Sequence, residues 1–332
     1  MYRHIHALFL TYEPYFVRDS QSVDLENFYE DNLKSYIAGV QQFQATLTVV
    51  DAGSSKEFIQ FISEVTVNLG VEQLIIYEEL SSFDAFNAYV ANNKNEGDLY
   101  IWLASDTRAS KNEWLTSLVE DMRDAKAQIA FPAVTSDGSG STPQTQGQHL
   151  NKIYHKVRFP NFCNLICMAI SGEVLVKSDW TLPNKYKKNG NDKGISLLAY
   201  VTNSTAIISF RCHLQHLQDF PRRHVWTNDG GRSGRDLEYL HLSVREAGVN
   251  AFGSEDWNIF VYMERQKLDG VGFLRAFLNY LRLCLRCCIS PTLRRKLMLQ
   301  KASAIVGSEH MKKIMRLSEM ERIRIIKEIY WD

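Results

Sequence analysis

Five short apolar runs recur through the first 135 residues: His4–Thr11, Thr46–Val50, Gln73–Tyr77, Leu99–Ala104 and Ile129–Val134. Runs of this length read as strands buried on both faces, and the stretches between them read as helices. One such helix carries Phe58, Ile62, Val65 and Leu69, with Ser54 or Ser55 to cap it and Gly70 to stop it. Another, capped by Ser82, turns Phe83, Phe86 and Val90 inward, and a third carries Trp114, Leu115, Leu118 and Met122. Strands alternating with helices predict a mostly parallel sheet covered on both faces. In such a fold the crevice at the carboxyl ends of the strands is where ligands bind. Asp106, just beyond the fourth strand, is expected there, as are the small residues of Asp51-Ala-Gly-Ser-Ser after the second.

Composition narrows the function. With 45% hydrophobic and 23% charged residues in 332, the chain is expected to fold around a large core. Its 38 basic and 38 acidic residues cancel, which argues against nucleic acid as a partner. The N-terminal apolar run is broken by Glu13 too early for a secretion signal, and no run reaches the roughly 20 apolar residues of a membrane span. Six cysteines without a disulfide-scaffold spacing read as reduced thiols of a cytosolic protein. Cys163/Cys167 and Cys284/Cys287/Cys288 lack the second Cys or His pair of a zinc site.

The second half is less regular. Residues 135–149, TSDGSGSTPQTQGQH, read as a surface loop, either a lid or plain disorder. Phe162–Ile170 and Ile207–Phe210 have strand character, with a short helix to about Lys177 between them. After Pro221, RRHVWTNDGGRSGRD reads as a polar, Gly-rich loop, and from Leu237 onward the chain reads as helices. Within 271–289, Leu274, Phe277, Leu278, Leu281, Leu285 and Cys288 form an apolar stripe flanked by Arg275, Arg282 and Arg286. Eight Lys or Arg and a single acid, Asp269, lie between Arg265 and Lys296. A basic amphipathic helix of this kind suits an anionic membrane surface; the alternative is a helix whose stripe packs on the core.

VVDAGSS, then DAFNAYVANNKNEGDLYIWLASDT, then NEWL, resembles the nucleotide-sugar half of family 2 glycosyltransferases of the GT-A fold. The resemblance covers about Ile5 to Val134 and weakens beyond. It implies a GT-A, Rossmann-like, mostly parallel sheet flanked by helices over residues 1–225, with a helical C-terminal extension over 226–332. Asp106 matches the last acid of the family's Asp-x-Asp motif, whose first acid is replaced by Ala104, a degenerate form similar to that of rhamnosyltransferase-like members.

The resemblance further implies a Mg²⁺ or Mn²⁺ cofactor held by Asp106, with His213 favoured over His216 as a second ligand. Asp51 matches the acid that reads a uracil or thymine ring, and Thr11, Tyr12 and Glu13 match the loop along the nucleoside. Ser54, Asn87 and Ser105 fall at the remaining donor-side positions. Asp192, at the start of a helix, matches the general base that takes the acceptor proton in an inverting transfer; a helix cap is its other reading, and Asp179 is the reserve.

The implied function is transfer of a sugar from a nucleoside-diphosphate donor to a hydroxyl acceptor in glycan or polysaccharide biosynthesis. The acceptor would be a glycan or lipid-linked glycan, met in the cytoplasm or at the cytoplasmic membrane face. Two alternatives stand beside it. A nucleotidyltransferase-like enzyme would carry a Gly-rich, basic loop after the first strand, where LTYEPYF stands; a catalytically inactive GT-A-like scaffold would fit the loss of an acid at Ala104.

Overall fold

The computed structural model describes residues 2–12, 25–43, 45–78, 80–135, 157–158, 166–184, 194–195, 198, 202, 204–217, 272–275, 277–279, 281 and 317–331. In chain order the elements are β1 (Ile5–Thr11), α1 (Leu25–Val40), β2 (Ala45–Asp51), α2 (Lys56–Asn68), β3 (Gln73–Ile76), α3 (Ser82–Asn92), β4 (Leu99–Ala104) and β5 (Thr107–Ala109). There follow α4 (Trp114–Asp124), β6 (Ile129–Thr135), β7 (Val157–Arg158), β8 (Cys167–Ser171), α5 (Gly172–Lys177), β9 (Ala206–His216) and α6 (Glu319–Tyr330).

The strands form one sheet in the order β3-β2-β1-β4-β8-β6-β9-β5, with β7 beside β9. β3, β2, β1 and β4 are parallel to one another, as the alternation predicts. The second half departs from that rhythm. β8 runs antiparallel between β4 and β6, whereas β9 pairs parallel with β6 and antiparallel with β5.

Alternate residues of each central strand feed two cores, because successive side chains leave a strand on opposite faces. Ala7, Phe9, Ile101 and Leu103 meet Leu33 and Tyr36 of α1, Phe58 of α2 and Trp114 of α4. Leu8, Leu10, Tyr100 and Trp102 meet Phe86 and Val90 of α3, Leu175 of α5 and Ile323 of α6. Each fully buried side chain of this size stabilises by about 1.5–3 kcal/mol, so the two-sided burial of β1 and β4 makes them the rigid centre of the molecule.

Helix starts follow local chemistry. Ser55 caps α2 by accepting from the Phe58 N–H, and Ser81, one residue before the expected Ser82, caps α3 by accepting from Asp84. At the other end Leu69 closes α2 and Gly70 follows at φ 66, a left-handed conformation suited to glycine.

At the amino-terminal edge of the sheet lies a buried polar knot. The His6 ring stacks on Tyr100, contacts the Tyr89 hydroxyl at 3.0 Å and reaches Asp98 at 3.1 Å. Burial pushes the His6 imidazole below its usual range, against the opposing pull of Asp98.

The C-terminal helix α6 returns to the main body. Ser318 and Glu321 form a capping box, and Trp331 donates to the Thr181 hydroxyl at 3.0 Å. Residues 273–275, 277–279 and 281 are helical, with Phe273 77% and Leu274 70% exposed. Among the described residues no helix is long and apolar enough to cross a membrane. Residues 136–149 of the stretch expected to be a surface loop, and most of the region after residue 217, lie outside the described residues.

Candidate active site

Parallel pairing aligns three strand ends. Thr11 of β1 faces Asp51 of β2, and Leu10 faces Ala104 of β4, so the loops after β1, β2 and β4 open on one crevice. β2 and β4 flank β1, which is the arrangement expected to create a ligand crevice at carboxyl ends.

The Asp51 carboxylate is buried and clasped by its own surroundings. One oxygen accepts from the N–H groups of Gly53 (3.0 Å) and Ser54 (2.9 Å). The other accepts from the Thr11 hydroxyl (2.8 Å) and the Ser54 hydroxyl (2.6 Å). Two oxygens offer about four acceptor directions, so these donors use the carboxylate's capacity. Gly53 at φ 98 supplies the left-handed turn that folds the loop around it. Asp51 therefore builds the loop, and a nucleobase would have to replace one of these donors to reach it.

The loop after β4 is held from α1 by residues that sequence reading passed over. Asn32 donates to the Ser105 carbonyl at 2.9 Å, the Tyr36 hydroxyl meets Thr107 at 2.6 Å, and Ser35 accepts from the Ala109 N–H at 2.9 Å. Asn32, Ser35 and Tyr36 lie three and four residues apart, on one face of the helix. That spacing of polar groups was the available signal. Burial pushes the Tyr36 phenol well above its ordinary range, which keeps it a neutral hydrogen-bonding group.

Asp106 is then met from the far side of the sheet. Its carboxylate lies 3.3 Å from His216 Nε2, both side chains nearly buried, and its carbonyl accepts from the Leu217 N–H at 2.9 Å. His216 is thus the histidine beside Asp106, where His213 was favoured. The physical reason is a β-bulge. Pro132 pairs with Ser209 and the next residue, Ala133, pairs with His213, leaving Phe210, Arg211 and Cys212 as extra residues. Continued without the bulge, the register would bring His213 to the place one step beyond β6 that His216 now takes. In the actual register three residues separate the two, so His213 faces away from His216.

The other expected residues divide as follows. Ser105 is buried and held through its carbonyl, and Tyr12 is exposed beside Thr11. Asn87 is bonded in both directions to the Leu182 backbone, at 3.0 and 2.7 Å, which makes it a splint between α3 and the 181–184 segment. Asp179 is paired with Lys327 of α6. Glu13 and Asp192 lie outside the described residues. Among the described residues, no cluster of three or more His, Cys, Asp or Glu side chains forms a metal site.

Comparison with solved structures matches this arrangement. S. aureus TarS 1–349 superposes with a TM-score of 0.51 at 15% identity, over 98% of this chain and 91% of that one. Full S. aureus TarS gives 0.52 at 13% identity over 98% of this chain and 55% of that one, and TarS 1–349 in complex with UDP gives 0.51 at 14% over 98% and 90%. The chain has the GT-A fold. No family model matches the sequence, and no curated protein matches it. At such low identity, shared architecture is what the superposition carries.

The GT-A framework makes sense of the aligned strand ends. The Ser105-Asp106 turn and the end of β9 come together because β5, only three residues long, folds back onto β9, pairing Thr107 with His216. The antiparallel pairing of β5 with β9 is what brings the candidate carboxylate to the candidate imidazole.

Proposed function

We propose that this protein is a divalent-metal-dependent glycosyltransferase that moves a sugar from a nucleoside diphosphate to a hydroxyl acceptor. The observation that carries the reading is the Asp106 and His216 pair at the carboxyl end of the parallel strands of a GT-A fold. A carboxylate and a neutral imidazole are ligands that Mn²⁺ accepts, and Mg²⁺ or Mn²⁺ uses one or two protein groups together with phosphate oxygens. The pair fits such a cation, which when bound supplies charge neutralisation for the leaving diphosphate.

The chain's own groups do the rest. The Asp51 loop, with Thr11 and Ser54, shapes the nucleoside end of the crevice, and Tyr12 offers an exposed ring beside it. The UDP bound to TarS 1–349 supports a uridine-type donor. Asp192 is assigned the role of base, removing the acceptor proton as attack proceeds on the face opposite the departing nucleotide, with inversion. Asp106 and His216 would hold the cation, with Ser105 setting the turn that presents Asp106.

The acceptor is assigned to a glycan or lipid-linked glycan at the cytoplasmic membrane face. Phe273, Leu274, Leu278 and Leu281 leave an apolar helical face 40–77% exposed within a stretch rich in arginine. Flotation of the full chain with anionic and with neutral vesicles tests this: binding to anionic vesicles alone is expected, and equal failure with both defeats the membrane assignment.

Titration calorimetry of the full chain with a panel of nucleoside diphosphates, with Mn²⁺ and with chelator, tests the central reading. Metal-dependent binding of one nucleotide, followed by turnover of the matching sugar donor, is the expected result. Metal-dependent binding without turnover of any donor would favour an inactive scaffold. No metal-dependent binding would remove the transferase reading.

A further inference from the structure

The β9 bulge raises a question that the site alone does not answer: what holds three extra residues at one point of a strand. A bulge re-aims the side chains beyond it, and here those side chains include His216. Its clamp comes from α4, on the next layer. Asp121 has no exposed surface, and its two oxygens grip the last paired residue before the bulge and one of the extra residues within it. Oδ2 accepts from the Ser209 hydroxyl at 2.6 Å, and Oδ1 accepts from Arg211 Nε at 2.6 Å. Arg211 also reaches Glu120 at 3.0 Å, and the Ser209 hydroxyl accepts from the Cys212 N–H at 3.1 Å. Serine is thus bonded across the bulge and to the helix at once.

Burying a carboxylate is costly unless charge and hydrogen bonds compensate it. Beyond the clamp the strand returns to regular pairing, His213 to Gln215 with Ala133 to Thr135 and Leu214 to His216 with Ala109 to Thr107. Buried Cys212 and Leu214 keep this register from slipping, because a three-residue slide would put Arg211 opposite Val134 in place of Leu214. Side-chain packing therefore favours the register, and the Asp121 grip fixes where the extra residues are stored.

We propose that Asp121 is a positioning residue: by clasping Ser209 and Arg211 it sets the β9 bulge and so presents His216 to Asp106. The proposal rests on the metal and diphosphate reading for its functional consequence, but not for its geometry. Two readouts on the full chain separate the two. The first is amide exchange at Leu217, whose N–H is bonded to the Asp106 carbonyl and which reports the β9 end without any metal. The second is affinity for Mn²⁺ alone, by calorimetry. Asp121→Asn and the milder Ser209→Ala are compared with Leu118→Val, which trims a buried side chain of the same helix away from the clasp.

Both clasp variants are expected to speed Leu217 exchange about tenfold relative to Leu118→Val, and to weaken Mn²⁺ by about 10- to 100-fold, the range for groups that orient a metal ligand. Asp121→Glu should recover part of both. Leu217 exchange in Ser209→Ala no faster than in Leu118→Val overturns the proposal, even where Asp121→Asn fails to fold. Absence of metal-dependent nucleotide binding by the unaltered chain removes the metal reading, while the Leu217 comparison still decides the clasp.

Discussion

Asp51, at the end of β2, and Asp106, in the turn after β4, lie on either side of β1, yet their surroundings differ in kind. Asp51 is enclosed by hydroxyls and amides of its own and the adjoining loop, all within the first 54 residues. Asp106 faces an imidazole delivered from a strand 110 residues away. Neutral donors close to a carboxylate in sequence make a rigid turn. An imported imidazole makes a pair able to share a cation. The first acid should govern stability and the second turnover.

The largest effect should come from Asp106→Asn, which is expected to lower kcat/KM for sugar transfer by about 100- to 1,000-fold, since a bound cation's charge stabilisation is worth several kcal/mol. Thermal melting should shift by no more than about 2 °C, as for most changes that leave packing intact. Asp51→Asn should show the reverse. Losing an acceptor oxygen that serves two of the four donors, and placing an NH2 donor in its place, is expected to cost about 2–4 kcal/mol, or about 5–12 °C of melting temperature, read by calorimetry. Should Asp51→Asn melt normally and yet lose nucleotide binding, the division between the two acids would be reversed.

Tyr36→Phe sharpens the contrast at lower amplitude. It removes the hydroxyl bonded to Thr107, costs about 1 kcal/mol, and should lower kcat/KM by less than about tenfold. Combined with Asp106→Asn the losses should be less than additive, because both act on one turn. The smallest effect concerns His6, at the opposite edge of the sheet. Its folded pKa is lowered, so the unfolded chain binds more protons below about pH 6.5 and stability falls as pH drops through that value, levelling off beneath the folded pKa. Melting curves between about pH 7 and 5 should show this slope, and His6→Gln should flatten it without altering either acid's role.

The same contrast marks what was legible in the sequence. β1 to β4, their helices, the Ser55 cap and the Asp51 loop were readable because each depends on a local pattern: a continuous apolar run, a helical spacing, a small-residue turn. The β9 end was not. Its histidines were visible, but choosing between them needed the register, and register depends on Ser209 and Arg211 meeting Asp121, about 90 residues earlier. Asn32 and Tyr36 were hidden for a related reason. Polar residues on a helix read as solvent-facing until a loop from elsewhere is known to lie against them. β8 broke the parallel rhythm because an antiparallel strand buried on both sides has the same apolar composition as a parallel one.

Trp331 gives the stitched C-terminal helix a temporal meaning. Its indole is hydrogen-bonded to Thr181, 150 residues earlier, and its ring belongs to the same apolar cluster as Leu8, Trp102 and Leu182. During synthesis the strands and helices of the first 135 residues are available long before this plug exists. One side of the sheet must therefore wait, covered incompletely, until residue 331 has been made. Loop closure over such a separation is entropically slow to find, so docking of this helix should follow assembly of the sheet rather than accompany it.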